Sequence, residues 1–220
     1  MKKNLIIVGT GLFPEVARYY FDELSDYSVI GFACHQKYKH CDTIYGLPLY
    51  AIENLKETHE PDQITLFVGI GYKNMNKMRQ RVYEELKSLG YGFATFVYPN
   101  VKIWGSTVIG ENVFIFEDNT IQPFTRIGNN TMLWSGNHIG HHTIIGDHSF
   151  ISSHVVISGS CNVGNNVFVG VNATFHDGLT VADETLVGAG AIISNNTKPK
   201  EVFVAAATKP FPKNSEEIGF

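Results

Sequence analysis

Apolar residues recur along this chain with two different periods. Through residue 96, short apolar runs alternate with amphipathic ones. "NLIIVG" (4–9) has the continuous apolar character of a parallel strand covered on both faces. "GTGLFPEVARYYFDEL" follows it and predicts a helix, with Pro14 suited to the first turn. "YSVIGFA" (27–33) and "ITLFVGIG" (64–71) read as further strands, "NKMRQRVYEELKSLG" (76–90) as a helix ending at Gly90, and "FATFV" (93–97) as a last strand. Strand–helix alternation of this kind predicts a small parallel α/β domain over residues 1–96. Its ligand is expected at the carboxyl ends of the strands.

From Val97 the period changes to six. Val97, Ile103, Ile109, Ile115, Ile121, Ile127, Leu133, Ile139, Ile145, Ile151, Ile157, Val163, Val169, Phe175, Val181, Val187 and Ile193 open consecutive hexads without a slip, through Lys198. The second position is often glycine (110, 128, 140, 146, 164, 170 and 188), and the fifth is small or β-branched, with Leu179 the bulkiest. This is the signature of a parallel β-helix of hexapeptide repeats over residues 97–198, leaving a tail at 199–220. The first position fills the coil, and the small fifth position fits its tight interior. With three sides per turn, residues eighteen apart stack at strand spacing, about 4.8 Å. Asn119 and Asn137 then form an internal amide ladder.

Composition narrows the function only slightly. The net charge is −4, which gives no pull toward nucleic acid or an anionic membrane. Cys34, Cys41 and Cys161 make no paired framework, so a reduced, cytoplasmic setting is expected. No apolar run approaches the roughly 20 residues of a membrane span. Pro14 stands where a dinucleotide fingerprint wants its third glycine, so NAD is not expected.

Histidines cluster in "HIGHHTIIGDHS" (138–149), with His154 just beyond. The hexad phase sorts them. His142, His148 and His154 all fall at position four of consecutive hexads, hence on three sides of one turn, and His148 and His154 are expected to be outward polar positions. They cannot converge on one zinc within a chain. His138 and His141 lie at positions six and three. His141 differs in having Gly159 one turn above it. An imidazole that can take a proton near neutral pH would lie beside a backbone N–H able to face an oxyanion.

The chain resembles the sugar acyltransferases of the PglD/NeuD type. The likeness spans "IIVGTG", "LFVGIG", "GYGFATFVYPNV" and the hexads through "LVGAGAIISNNT", and is densest in "HIGHHTIIGDHSFISSHVVISGSCNVGNNVFVGVNATF". It implies a Rossmann-like nucleotide-sugar domain followed by a left-handed β-helix, in a homotrimer that binds acetyl-CoA between subunits. It further implies N-acylation of a nucleotide-linked amino sugar for bacterial surface glycans such as O-antigen, without metal. By position, His141 matches the catalytic base, and Gly159 the donor to the thioester oxygen. Val171 and Ala189 match the cofactor site. Gly9, Thr10, Gly11 and Gly71 match the loops that hold the nucleotide.

The chain departs from that family in four places. His142 stands where an Asp or Glu usually follows the base, so it joins the candidate catalytic set. Phe150 replaces a histidine that often contacts the cofactor. "FACHQ" (32–36) lacks the acidic pair that usually ends the second strand, and "AAATK" (205–209) replaces "GxPAK". The expected chemistry is direct acyl transfer with His141 as base. Three alternatives are an O-acetyltransferase of the sialic-acid type, a zinc-dependent lyase of the carbonic-anhydrase kind, and a non-catalytic scaffold.

Overall fold

In the computed structural model, which describes residues 2–218, the two periods become two packed bodies. The first contains β1 (Lys3–Val8), α1 (Leu12–Leu24), β2 (Tyr27–Cys34), β3 (Thr43–Ile44), β4 (Leu47–Ala51), α2 (Leu55–Thr58), β5 (Thr65–Val68), α3 (Lys77–Ser88) and β6 (Gly92–Phe93). The sheet order is β3-β4-β2-β1-β5-β6, parallel except for the β3–β4 hairpin. That hairpin is absent from the periodicity reading. Its turn is Tyr45-Gly46, both at positive φ (50° and 75°), as a type I′ turn requires. Chain order reverses between β1 and β5, so the crevice at their carboxyl ends is the natural ligand position. Leu5, Ile6, Ile7 and Val8 are all buried, which explains the unbroken apolar run.

The expected strand 93–97 is divided. Gly92–Phe93 pairs with β5, whereas Phe96–Val97 pairs with Phe114–Ile115 as the first rung of the coil. Ala94 N–H still donates to Leu66 O, and Phe96 N–H already donates to Val113 O, both at 2.8 Å. One apolar run thus serves two sheets.

The coil has three parallel sheets of two-residue strands, one strand per hexad except that of Ile103. Rungs stack with a shift of eighteen, as in Arg126, Ile144 and Asn162. The arrangement is that of a hexapeptide β-helix, consistent with left-handed winding. First-position residues from Ile115 to Ile193 form one continuous core. Fifth-position hydroxyls cross-link it internally: Thr131, Thr143 and Ser149 donate to carbonyls fifteen residues on, at 3.0–3.1 Å. Asn119 and Asn137 bond to backbone instead of to each other. Asn119 Nδ2 reaches Trp134 O at 2.9 Å, and Asn137 Oδ1 accepts Val155 N–H at 2.8 Å. Second-position glycines allow adjacent turns to close: a Cβ at Gly140 would lie 2.5 Å from Gly159 N. Beyond Ile193 the phase breaks. Val202–Phe203 pairs with Leu186–Val187, sixteen rather than eighteen residues back, so part of the 199–220 segment adds a rung.

Position four carries the corner. Every fourth-position residue from Asn112 to Gly190 has positive φ. Asn, Asp, Gly and His tolerate that left-handed conformation best. His142, His148 and His154 (φ 58–61°) are therefore corner residues first, whatever else they do.

One coil face and one corner dock onto the α/β body. Phe114, Phe116, Met132 and Phe150 share a core cluster with Leu5, Ile7, Phe21, Phe32 and Phe67. Along the neighbouring corner, Asn112 Oδ1 accepts Val68 N–H (2.7 Å), and Asn112 Nδ2 donates to Asn130 Oδ1 (2.8 Å). Asn130 Nδ2 lies 2.9 Å from His148 Nδ1, and Asn166 Nδ2 donates to Gln80 Oε1 (2.9 Å). His148 is thus buried against α3, not turned to solvent as expected. Its hexad corner faces the other body.

Arg79 of α3 completes the joint and is fully buried. It donates to Asn130 O, His148 O and Ser149 O of the coil, and to Ile70 O, Gly71 O and Asn76 Oδ1 of its own body, at 2.8–3.4 Å. No carboxylate faces it among the described residues, and burial draws its pKa down to about 9, still protonated at neutral pH.

Arg79→Met would strip these acceptors of their donor. At about 1–3 kcal/mol per orphaned buried group, a loss of about 2–4 kcal/mol is expected in denaturant unfolding; an unchanged midpoint would refute the assigned role. Burial also pushes the His148 imidazole below its usual 6.5, against the opposing pull of Asp147 and Glu84 and with the help of Arg79. A depressed imidazole means that the unfolded chain binds the proton first. Its contribution is present above about 6.5 and lost as pH falls through the folded value. His148→Asn should flatten the acid side of the stability–pH curve.

Candidate active site

His141 sits at the corner between the His138–Ile139 and Ile144–Ile145 strands. This corner lies opposite the face that packs on the α/β body. Its backbone N–H donates to Gln122 Oε1 at 2.8 Å, and that of His142 donates to Pro123 O at 3.2 Å. A groove of about 560 Å³ opens beside the corner, lined by Lys102, Trp104, Asn119, Gln122 and Pro123 among others.

The two rings are coupled. His141 Nδ1 lies 3.1 Å from His142 Nδ1, so one ring donates to the other. Where His142 accepts, His141 keeps its proton on Nδ1 and leaves Nε2 free as a base. His142 is fixed in turn by Phe124, which stacks on it at 4.7 Å and 24°. Phe124 itself has φ 66°, a conformation costing about 1–3 kcal/mol in a bulky residue. The His141 ring covers Gly159: a Cβ there would lie 2.7 Å from Cε1 and 2.8 Å from Nε2. A side chain at 159 would therefore have to displace that ring.

The Gly159 N–H is not free to face an oxyanion. It donates to Asp177 Oδ1 at 2.9 Å. Asp177 lies eighteen residues on, at position three of the next turn; the sequence reading passed over it, although the hexad phase that pairs His141 with Gly159 extends to it.

The other candidates lie elsewhere. His154 is exposed over Gly136, and His138 is half-buried on its strand. Phe150 belongs to the interdomain cluster, with the Arg79 guanidinium 6.0 Å from its ring. Val171 and Ala189 are exposed on a different corner from His141 and Gly159, so a single chain does not unite them. Gly9, Thr10, Gly11 and Gly71 gather at the carboxyl ends of β1 and β5. Gly9 (φ 134°) packs against Pro14, Tyr45 OH donates to Gly11 O at 3.1 Å, and Gly71 O accepts from Arg79. Among the described residues, no three His, Cys, Asp or Glu side chains are grouped to hold a metal.

The family described as bacterial transferase hexapeptide (six repeats) matches residues 124–159, the stretch that contains His141, His142 and Gly159. No curated protein sequence matches the chain. Among solved structures, PerB from Caulobacter crescentus in complex with CoA and GDP-perosamine superposes with a TM-score of 0.78 at 21% identity, over 91% of each chain. The acetyltransferase domain of PglB from Neisseria gonorrhoeae in complex with acetyl coenzyme A gives 0.79 at 19% identity, over 92% of this chain and 96% of that one. WeeI from Acinetobacter baumannii gives 0.64 at 17% identity, over 87% and 96%. The chain has the fold of these proteins. Both bodies are included in the likeness, since it covers nine-tenths of the sequence.

Gly159→Ala is expected to fold with little loss of stability, because the exposed His141 ring can swing away. Ring-nitrogen NMR should show His141 detached from His142; an unaltered pair would contradict the contact that reserves this position for glycine.

Proposed function

We propose that the protein is an acyl-CoA-dependent N-acyltransferase. Acetyl-CoA is the donor, and the amino group of a nucleotide-linked amino-deoxy sugar is the acceptor, as used in O-antigen-type surface glycans. The observation that carries this reading is the His141 ring, paired with His142, lying against Gly159 on a hexapeptide coil. The shared fold with PerB, PglB and WeeI supports it.

The chemistry follows from positioning and one base. The sugar amine attacks the thioester carbonyl and forms the C–N bond, while its proton passes to His141 Nε2. His142 holds the imidazole orientation from Nδ1, in the place of a carboxylate. The Gly159 N–H, once released from Asp177, stabilises the oxyanion. Collapse breaks the C–S bond, and the proton on Nε2 goes to the coenzyme A thiolate.

We read the molecule as a homotrimer, and the placement of the parts supports sharing of the site between copies. The α/β half, as a Rossmann-like nucleotide-sugar domain, would hold the sugar by the loops of Gly9, Thr10, Gly11 and Gly71. His141 is on the far side of the same coil, so the sugar must be presented to a neighbouring copy. Val171 and Ala189 would meet the cofactor from a different chain than Gly159 does. Val156 (40% exposed) and Ile192 (67%) on one outer face, with Val108 (50%) and Ile144 (42%) on the next, are apolar side chains suited to coil–coil packing.

His141→Ala is expected to assemble normally and lose about 10²- to 10⁴-fold in thiol release with a panel of nucleotide-linked amino sugars. Unchanged turnover would sink the assignment. Mixing that variant with one impaired at Gly11 should restore part of the activity, because some sites then combine two intact halves.

A further inference from the structure

We propose that Asp177 is a specificity-determining residue that competes with the acyl donor for the Gly159 N–H. This rests on the acyltransferase reading above. Acceptors stacked at position three are common in this coil, but they occur on the docked corner. There Asn129, Asp147, Asn165 and Asp183 each take the N–H eighteen residues back, at 2.6–3.0 Å, in an unbroken series. The His141 corner is built otherwise. Pro123 has no N–H, and His141 N–H is held from below by Gln122. Gly159 has no side chain with which to continue a ladder. The Asp177 carboxylate on Gly159 N–H is the one such rung among the described residues of this corner, and it lies beside the candidate base.

Asp177 is also free to leave. It is exposed, and Gly178 (φ 70°) follows it at the corner. The carboxylate cannot remain where it is during transfer. A thioester oxygen needs the same donor, and the negative charge that develops on that oxygen would face another negative charge. Acyl-donor binding therefore includes displacement of Asp177. Coenzyme A, which lacks the thioester carbonyl, places no acyl oxygen on that N–H. The carboxylate thus lowers affinity for the thioester selectively and reseals the donor once the acyl group has gone.

Calorimetric titration of the intact oligomer with acetyl-CoA and with coenzyme A tests this. Asp177→Ala should tighten acetyl-CoA by about three- to tenfold, the scale of one hydrogen bond, and leave coenzyme A unchanged. Asp177→Asn keeps a neutral acceptor in place. It should give a smaller gain, again confined to acetyl-CoA, and it decides the matter if the alanine variant fails to fold. Equal changes for both ligands, or none for either, would make Asp177 a scaffold rung and overturn the proposal. A wild-type protein that binds neither ligand overturns the acyltransferase reading first, and the competition with it.

Discussion

A fully buried guanidinium without a carboxylate holds the two halves of this molecule together. Removing a charge from water is costly unless every donor finds an acceptor. Arg79 meets that condition only because carbonyl oxygens converge on it from both bodies: 70 and 71 from the loop after β5, and 130, 148 and 149 from the coil. Neither body alone supplies the set. The interaction therefore fixes the angle between them, and it fixes the Gly71 loop at the crevice in the same step. The aromatic face around Phe114 and Phe150 contributes area, but apolar contact is not directional. The guanidinium fork is.

The coil tolerates such docking because its outer surface can change without changing its core. First and fifth positions fill or cross-link the interior, and position four must adopt a left-handed turn. That leaves the identity of each corner residue free among types that include Asn, Asp, Gly, His and Ser, and even Phe124 and Glu184. On one corner the choices Asn112, Asn130, His148 and Asn166 make a polar seam with the α/β body. On the next, Phe124 and His142 make a stacked support for His141. The same backbone requirement serves a docking seam in one place and a coupled pair of rings in another.

Much of this was legible in the residues. The six-residue period gave the coil because each first-position side chain has nowhere else to go. The phase also singled out His141 and paired it with Gly159. It gave the wrong environment for His148, since a phase names a corner and not what packs on it. Arg79 sits in an amphipathic helix rich in charge, where it reads as one more solvated side chain. Only the second body reveals it as buried. The split of "FATFV" between two sheets was hidden for a like reason, because an apolar run does not say which edge it will join.

The site itself is divided by the same geometry. A triangular coil that packs one face on the α/β body must carry the opposite corner away from it. His141 occupies that corner, and the glycine loops of β1 and β5 belong to the other side. Flexibility does not remove the separation, since Arg79 and the position-four seam lock the two bodies. A chain with this architecture cannot bring its own crevice to its own His141. If the crevice loops and the His141 corner serve one reaction, that reaction has to be shared between copies, and the rigidity of the joint then becomes useful. It presents each crevice to a neighbour at a fixed distance, so that orientation is settled by assembly before any substrate binds.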